Sequence, residues 1–199
     1  MKFMGGIRKI IKLKYTLIQL QAKLLNKEIN MSSAIIWSPI TRFIHWAIAL
    51  PVLLNFFLDG GDSLHKILGY ISLAALLSRI AWGFVTKDKA HFKFFPLRPT
   101  DVKEYVISLR SGKIKDYPGH NPLASMTYIA IWILVGLLGV SGFLMGLDAF
   151  WGEEWLEEIH EVFSNGLAAL FICHIIGINF DGIKHKRKTW LGMITGKRL

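Results

Sequence analysis

Four apolar stretches in this chain are long enough to cross a lipid bilayer, and they exclude most folds at once. They run from Pro39 to Leu58, Leu64 to Val85, Pro122 to Leu147 and Trp155 to Phe180. A bilayer core needs about 20 residues of helix. Within it every backbone N–H and C=O must be bonded inside protein, which leaves helices or a closed barrel. Uninterrupted runs of this length predict helices. Only the first is broken, by Arg42 and Pro51, and proline is tolerated in a spanning helix whose neighbours satisfy the freed carbonyl. The expected fold is all-α, a transmembrane four-helix bundle. The composition agrees: 52% of the 199 residues are hydrophobic and the mean hydropathy is +0.39, outside the usual range of water-soluble domains.

Net charge is +10, which in a soluble chain would suggest nucleic acid. Its distribution argues against nucleic acid. Of the 24 Lys and Arg, seven precede residue 40, eight lie between Lys87 and Lys115, and six follow Asp181. Those three segments share one side of a four-span chain, and the positive-inside rule makes that side cytoplasmic. The two other connections, LDGGDS and LDAFWGEEWLEE, hold no Lys or Arg and seven of the 14 acidic residues. Both termini are therefore expected in the cytoplasm.

Cys173 is the single cysteine, which rules out an internal disulfide, a zinc knuckle and a CxxCH haem attachment. The N-terminal stretch is basic and lacks the apolar core and small-residue site of a cleavable signal, so the first span is expected to act as its own insertion signal. Residues 1–35 form a basic, amphipathic extension ahead of a membrane domain over 36–199. Two readings stand for it: a helix lying on the anionic inner leaflet, or a gene start placed upstream of a natural one at Met31. On the inner loop, Thr100 is expected to cap a short interfacial helix ended by Gly112. Asn121 and Pro122 suit the N-cap and first position of the third span.

Seven histidines are present, and four of them, His45, His65, His160 and His174, fall within the spans. Ionisable residues at membrane depth are costly and mark functional sites. His91 and His185 sit among Lys and Arg on the inner side and read as solvated. Orientation and the rise of about 1.5 Å per residue place the four buried ones. The first span starts inside, so His45 lies in the inner half. The second and fourth start outside, so His65 and His160 lie in the outer half. His174, fourteen residues after His160, has descended about 21 Å into the inner half. Fourteen residues is two heptads, so in a left-handed bundle both imidazoles of the fourth helix face one seam. Two stacked bis-imidazole sites result, His65 with His160 and His45 with His174. Two axial imidazoles in a wide apolar surround suit a non-covalent b-type haem. Copper, or a proton relay, is the competing reading, although such metal sites usually recruit a third ligand. Cys173 is rotated by about 100° from His174 and does not supply one.

Around these sites, Gly69 lies one turn from His65, and Gly136, Gly139, Gly142 and Gly146 form a small-residue face on the third span. Close helix packing explains such a face as well as haem clearance does. Arg42, one turn before His45, is a candidate to bind an inner haem propionate, or else it snorkels to the headgroups. Arg79 and Lys66 share that ambiguity. His120 is a candidate inner-face contact for quinone or propionate.

The segments WSPITRFIHW, LHKILGY, GHNPLASM, IHE and ICHIIG together resemble the bacterial cytochrome b561 and Ni,Fe-hydrogenase b-type cytochrome family, over residues 36 to 199. The resemblance implies a multi-pass protein of the bacterial inner (cytoplasmic) membrane with two haem b groups, for which His45, His65, His160 and His174 are the axial ligands. It implies electron transfer between a quinone, ubiquinone or menaquinone, and an outer redox partner such as a c-type cytochrome or a dehydrogenase or hydrogenase subunit. The acidic outer connections would steer a basic partner. Two alternatives stand beside this. Some members are similar to superoxide:ubiquinone oxidoreductases, but the acidic outer face disfavours an anionic substrate. The chain could also be a haem-free scaffold or proton-relay subunit. Whether it counts as an enzyme and whether it forms a homodimer stay open.

Overall fold

The computed structural model describes residues 12, 14–24, 35–58, 61–117 and 119–198. The described residues are helical apart from connections and one isolated bridge between Ile35 and Lys197. Six α-helices follow residue 35: α1 Pro39–Asn55, α2 Ser63–Val85, α3 Pro99–Arg110, α4 Pro122–Leu144, α5 Glu154–His185 and α6 Gly192–Thr195. Residues 14–24 are helical and exposed. The rest of the N-terminal extension, and with it most of the amphipathic pattern, lies outside the described residues, as does Asp59 of the first acidic connection.

Helices α2, α4 and α5, of 23, 23 and 32 residues, are long and apolar enough to cross a membrane. The first expected span is shorter than the sequence predicts: α1 has 17 residues and gives way to a turn at Phe56, so its helix covers about 26 Å. The local start signals explain where the helices begin. Ser38 caps α1, its Oγ accepting from the Thr41 N–H, and Pro39 occupies the first turn. Asn121 caps α4 in the same way, accepting from the Ala124 N–H ahead of Pro122. Thr100 does not cap α3. The helix starts two residues earlier than expected, because Pro99 takes the first turn and the extended Arg98 becomes the cap. Gly112 ends the segment at φ +71°, the left-handed region that glycine enters without steric cost.

The packing order follows from which helices touch. Helix α1 lies against α2, α2 against α4, and α4 against α5. Helix α5 therefore stands off from α1 and α2, the two helices that carry the partner histidines. At mid-depth, Ile44 and Ile48 of α1, Leu76 of α2, Val135 of α4 and Leu167 of α5 form one buried apolar layer.

One end of the molecule gathers every described basic connection. Asp88, just past α2, accepts from the Ser38 N–H at 2.8 Å and the Thr41 hydroxyl at 2.7 Å, and the Trp82 indole donates to Thr41 at 3.0 Å. Burial opposes ionisation of Asp88, but the bonds from Ser38, Thr41 and the Ala90 N–H outweigh it and hold the carboxyl below its ordinary range. The C-terminal segment closes the same end. Ile36 and Trp37 donate to the Gly196 carbonyl, Trp46 donates to the Met193 carbonyl, and Arg42 donates to the Ile194 carbonyl. Arg187 joins Asp181 on α5 to Asp116 in the long connection, and Arg198 pairs with Asp116 as well.

Candidate functional site

At the acidic end, the His65 and His160 rings face each other with centroids 6.3 Å apart and planes tilted by 56°. They line a cavity of about 510 Å³ with Asn55, Phe56, Gly69, Ser72, Gly139 and Leu167 among its walls. His65 comes from the first turn of α2 and His160 from the second turn of α5, helices that do not pack directly, which is why a gap opens between the rings. The Asn55 amide donates to the His65 carbonyl at 3.1 Å and ties the end of α1 to the start of α2. His160 Nδ1 is 2.8 Å from Ser141 Oγ on α4.

A second cavity of about 320 Å³ lies at the basic end, lined by Trp37, Thr41, His45, Arg79, His120 and Tyr128, among others. His174 approaches this region through Tyr128, whose ring packs edge-on to it at 5.4 Å. No ring-to-ring approach like that of His65 and His160 joins His45 to His174 among the described residues. The imidazole most tightly held here is His120. It is buried, sits 4.5 Å from Tyr128, 4.7 Å from Trp37 and 4.9 Å from Phe95, and neither ring nitrogen has a hydrogen-bond partner. Burial first, then the Arg79 guanidinium, pushes its pKa down to about 3, so the ring is neutral at physiological pH. Arg79 is itself buried. It donates to the Ala90 carbonyl at 2.9 Å, lies over the Trp132 ring at 4.9 Å, and keeps one guanidinium nitrogen unpartnered.

The remaining candidates divide. Gly69 lines the outer cavity, and a Cβ there would approach nothing closer than Asn55 at 3.9 Å, so its missing side chain widens the cradle. Gly139 instead serves helix packing, since a Cβ would come within 2.9 Å of Leu73. Arg42 is engaged with the Ile194 carbonyl and lines neither cavity, and Arg79 is the arginine that faces the inner one. Cys173 is exposed. Trp46 and Trp82 are hydrogen-bonded within the protein, to the Met193 carbonyl and to Thr41. Three residues with defined roles escaped the sequence reading: Asn55, Ser141 and Asp88. Each is a polar group in or beside an apolar run, the feature that singled out the histidines.

The residues present fit a b-type haem at the acidic end. The donors are two imidazoles. His65 Nδ1 and Asn55 Oδ1 are buried polar atoms without partners, and Gly69 leaves a slot between α2 and α5. No group of three or more His, Cys, Asp or Glu that could hold a metal ion occurs among the described residues, so a two-imidazole ligand set suits the site better than a zinc or copper centre.

No curated protein and no solved structure matches the chain. The family model described as prokaryotic cytochrome b561 matches residues 36–196, which takes in all four long helices and both cavities. The chain therefore belongs to the prokaryotic cytochrome b561 family, and with that membership come b-type haem binding and electron transfer in a membrane.

Proposed function

We propose that residues 36–199 form a four-helix transmembrane bundle in the bacterial inner membrane, with both termini cytoplasmic, that carries electrons between a quinone and an outer redox partner through two b haems. His65 and His160 hold the outer haem, and His45 and His174 the inner one. The observation that carries this reading is the His65–His160 pair, facing each other across a gap between two helices that do not pack. Bound haem supplies one-electron chemistry at its iron. The chain's own residues do the rest. The imidazoles fix where the iron sits, and the apolar layer of Ile44, Ile48, Leu76, Val135 and Leu167 keeps water from the space between the two levels. The basic end, held by Asp88 and the C-terminal segment, is the cytoplasmic one by the positive-inside rule.

Quinone belongs at the basic end in this reading. The unpartnered His120 nitrogens and the free nitrogen of Arg79 supply polar partners in an aromatic surround. At the opposite end, Asp62, Asp148, Glu153, Glu154, Glu157 and Glu158 favour a basic partner such as a c-type cytochrome or a dehydrogenase subunit.

The test is a reduced-minus-oxidised spectrum of detergent-purified protein with pyridine haemochrome quantification, repeated for His160→Ala and His174→Ala. The expected result is two non-covalent haems, with a different one lost or turned high-spin in each variant. Haem binding indifferent to both substitutions overturns the ligand assignment. For the quinone end, His120→Ala is expected to slow quinol oxidation with haem content intact, and an unchanged rate removes His120 from the site.

A further inference from the structure

Resting on the haem reading above, we infer that Ser141 is a positioning residue for His160: its hydroxyl selects the ring tautomer that leaves Nε2 free for iron, and so tunes the outer haem alone. A serine hydroxyl has one proton and can donate to one acceptor at full strength. Ser141 Oγ has three neighbours: the Leu137 carbonyl at 2.8 Å, the Leu138 carbonyl at 3.3 Å and His160 Nδ1 at 2.8 Å. Two arrangements are available. If the hydroxyl donates to Nδ1, the imidazole proton moves to Nε2, where no hydrogen-bond partner awaits it and where it would block metal binding. If the hydroxyl donates to Leu137, as serines within helices commonly do toward the carbonyl four residues back, Oγ is left as an acceptor. The imidazole proton then sits on Nδ1 and donates to Oγ.

The second arrangement places every proton on an acceptor and leaves only a lone pair, on Nε2. The first arrangement leaves an N–H on Nε2 with no protein acceptor among the described residues, so the second prevails. It also fixes the ring's direction. Ser141 and its neighbour Gly142 lie on α4, the helix against which α5 packs, and a Cβ on Gly142 would lie 3.5 Å from His160 Cε1. The Nδ1–Cε1 edge of the ring is therefore the edge held against α4. A hydrogen bond to the distal nitrogen of a metal-bound histidine orients it and raises its basicity. His65 has no such bond, because its Nδ1 is buried without a partner. The two outer imidazoles are thus unequal, and the stronger donor is the one that Ser141 supports.

The experiment compares wild type, Ser141→Ala, Ser141→Thr and His160→Ala by haem quantification and potentiometric titration, with the two haems followed separately through their low-spin EPR signals. Expected in Ser141→Ala is haem retention weakened about 10-fold at the outer site. The midpoint potential of the signal that His160→Ala abolishes should also rise, because a less basic ligand stabilises ferric iron less. The other signal stays in place. Ser141→Thr, which keeps the hydroxyl, restores both values. If both potentials and both EPR signals in Ser141→Ala equal those of wild type, Ser141 is a packing residue only and the inference fails. Failure of Ser141→Thr to rescue also overturns it, since volume and not the hydroxyl then matters. Should His160→Ala itself keep both haems, the ligand assignment falls first and takes the inference with it.

Discussion

The two histidine levels are built differently. At the acidic end His65 and His160 meet face to face across an open slot, and few other polar groups line it. At the basic end His45 and His174 make no such approach, while a third imidazole, an arginine and several aromatic rings crowd the cavity. The helix register accounts for part of this. The two histidines of the acidic end enter near the starts of α2 and α5, where Ser141 bonds the His160 ring and Asn55 bonds the His65 backbone carbonyl. At the basic end the long connection brings His120 to the cavity that His45 lines, with Phe95 packed on its ring. A cofactor level that exchanges electrons within the bundle needs only two ligands and an apolar wall. One that also meets a small molecule needs additional polar groups, and the inner level has them.

This contrast can be broken or sharpened by substitution. The largest effect expected is for His65→Ala, which removes the outer haem outright and halves the haem content by pyridine haemochrome. In His45→Ala, by contrast, His120 lines the same cavity, and the inner level is expected to retain part of its haem with an altered spectrum. Equal loss in both variants would erase the distinction between the levels.

Next is Asp88→Asn. Hydrogen bonds to a charged group contribute about 1.5–3 kcal/mol, so thermal unfolding in detergent should shift downward by an amount of that size. The sign with pH follows from the depressed carboxyl of the folded state. Its contribution is complete above the ordinary value of 3.8 and is lost as pH falls below that toward the folded value. The wild type should therefore lose stability in that acid window by more than Asp88→Asn does, and parallel acid profiles would show that other groups govern it.

Asn55→Ala comes third. It removes the bond to the His65 carbonyl and is expected to cost about 1 kcal/mol of stability while loosening the outer haem and leaving the inner EPR signal fixed. A shift of the inner signal instead would place Asn55 in general packing. Gly196→Ala at the basic end acts on stability alone. Gly196 has φ +77° and a Cβ there would lie 2.7 Å from the Trp37 carbonyl, so destabilisation of about 1–2 kcal/mol is expected, with both haems retained.

The apolar runs and the alternation of charge were enough to read the three long apolar helices α2, α4 and α5 and the grouping of the basic connections at one end, because both depend on single-segment properties. The 17-residue length of α1 was not readable, since the run continues apolar through Phe56 and Phe57 while the backbone turns. Arg42 and Arg79 show a second limit. Both lie in spans near the basic end, and only the fold decides that one is taken up by a carbonyl from the C-terminal segment while the other lines the cavity. Ser141 hid among glycines for a related reason. A serine in a small-residue face reads as packing until a histidine from another helix is found beside it. Ser141 has no periodic counterpart, so nothing in its spacing marks the contact with His160.

The bonds that fasten the basic end of α1 have a consequence in time. Arg42 and Trp46 depend on carbonyls 152 and 147 residues further along the chain, and Ile36 and Trp37 depend on Gly196. At a synthesis rate of about 5–20 residues per second, α1 is made roughly 10–30 s before the segment that anchors it. Throughout that interval its inner end has no acceptor for the Trp46 indole or the Arg42 guanidinium, and the gap between α1 and the newly arriving α5 stands unlatched. The closing of residues 192–197 over α1 is the event that ends that interval.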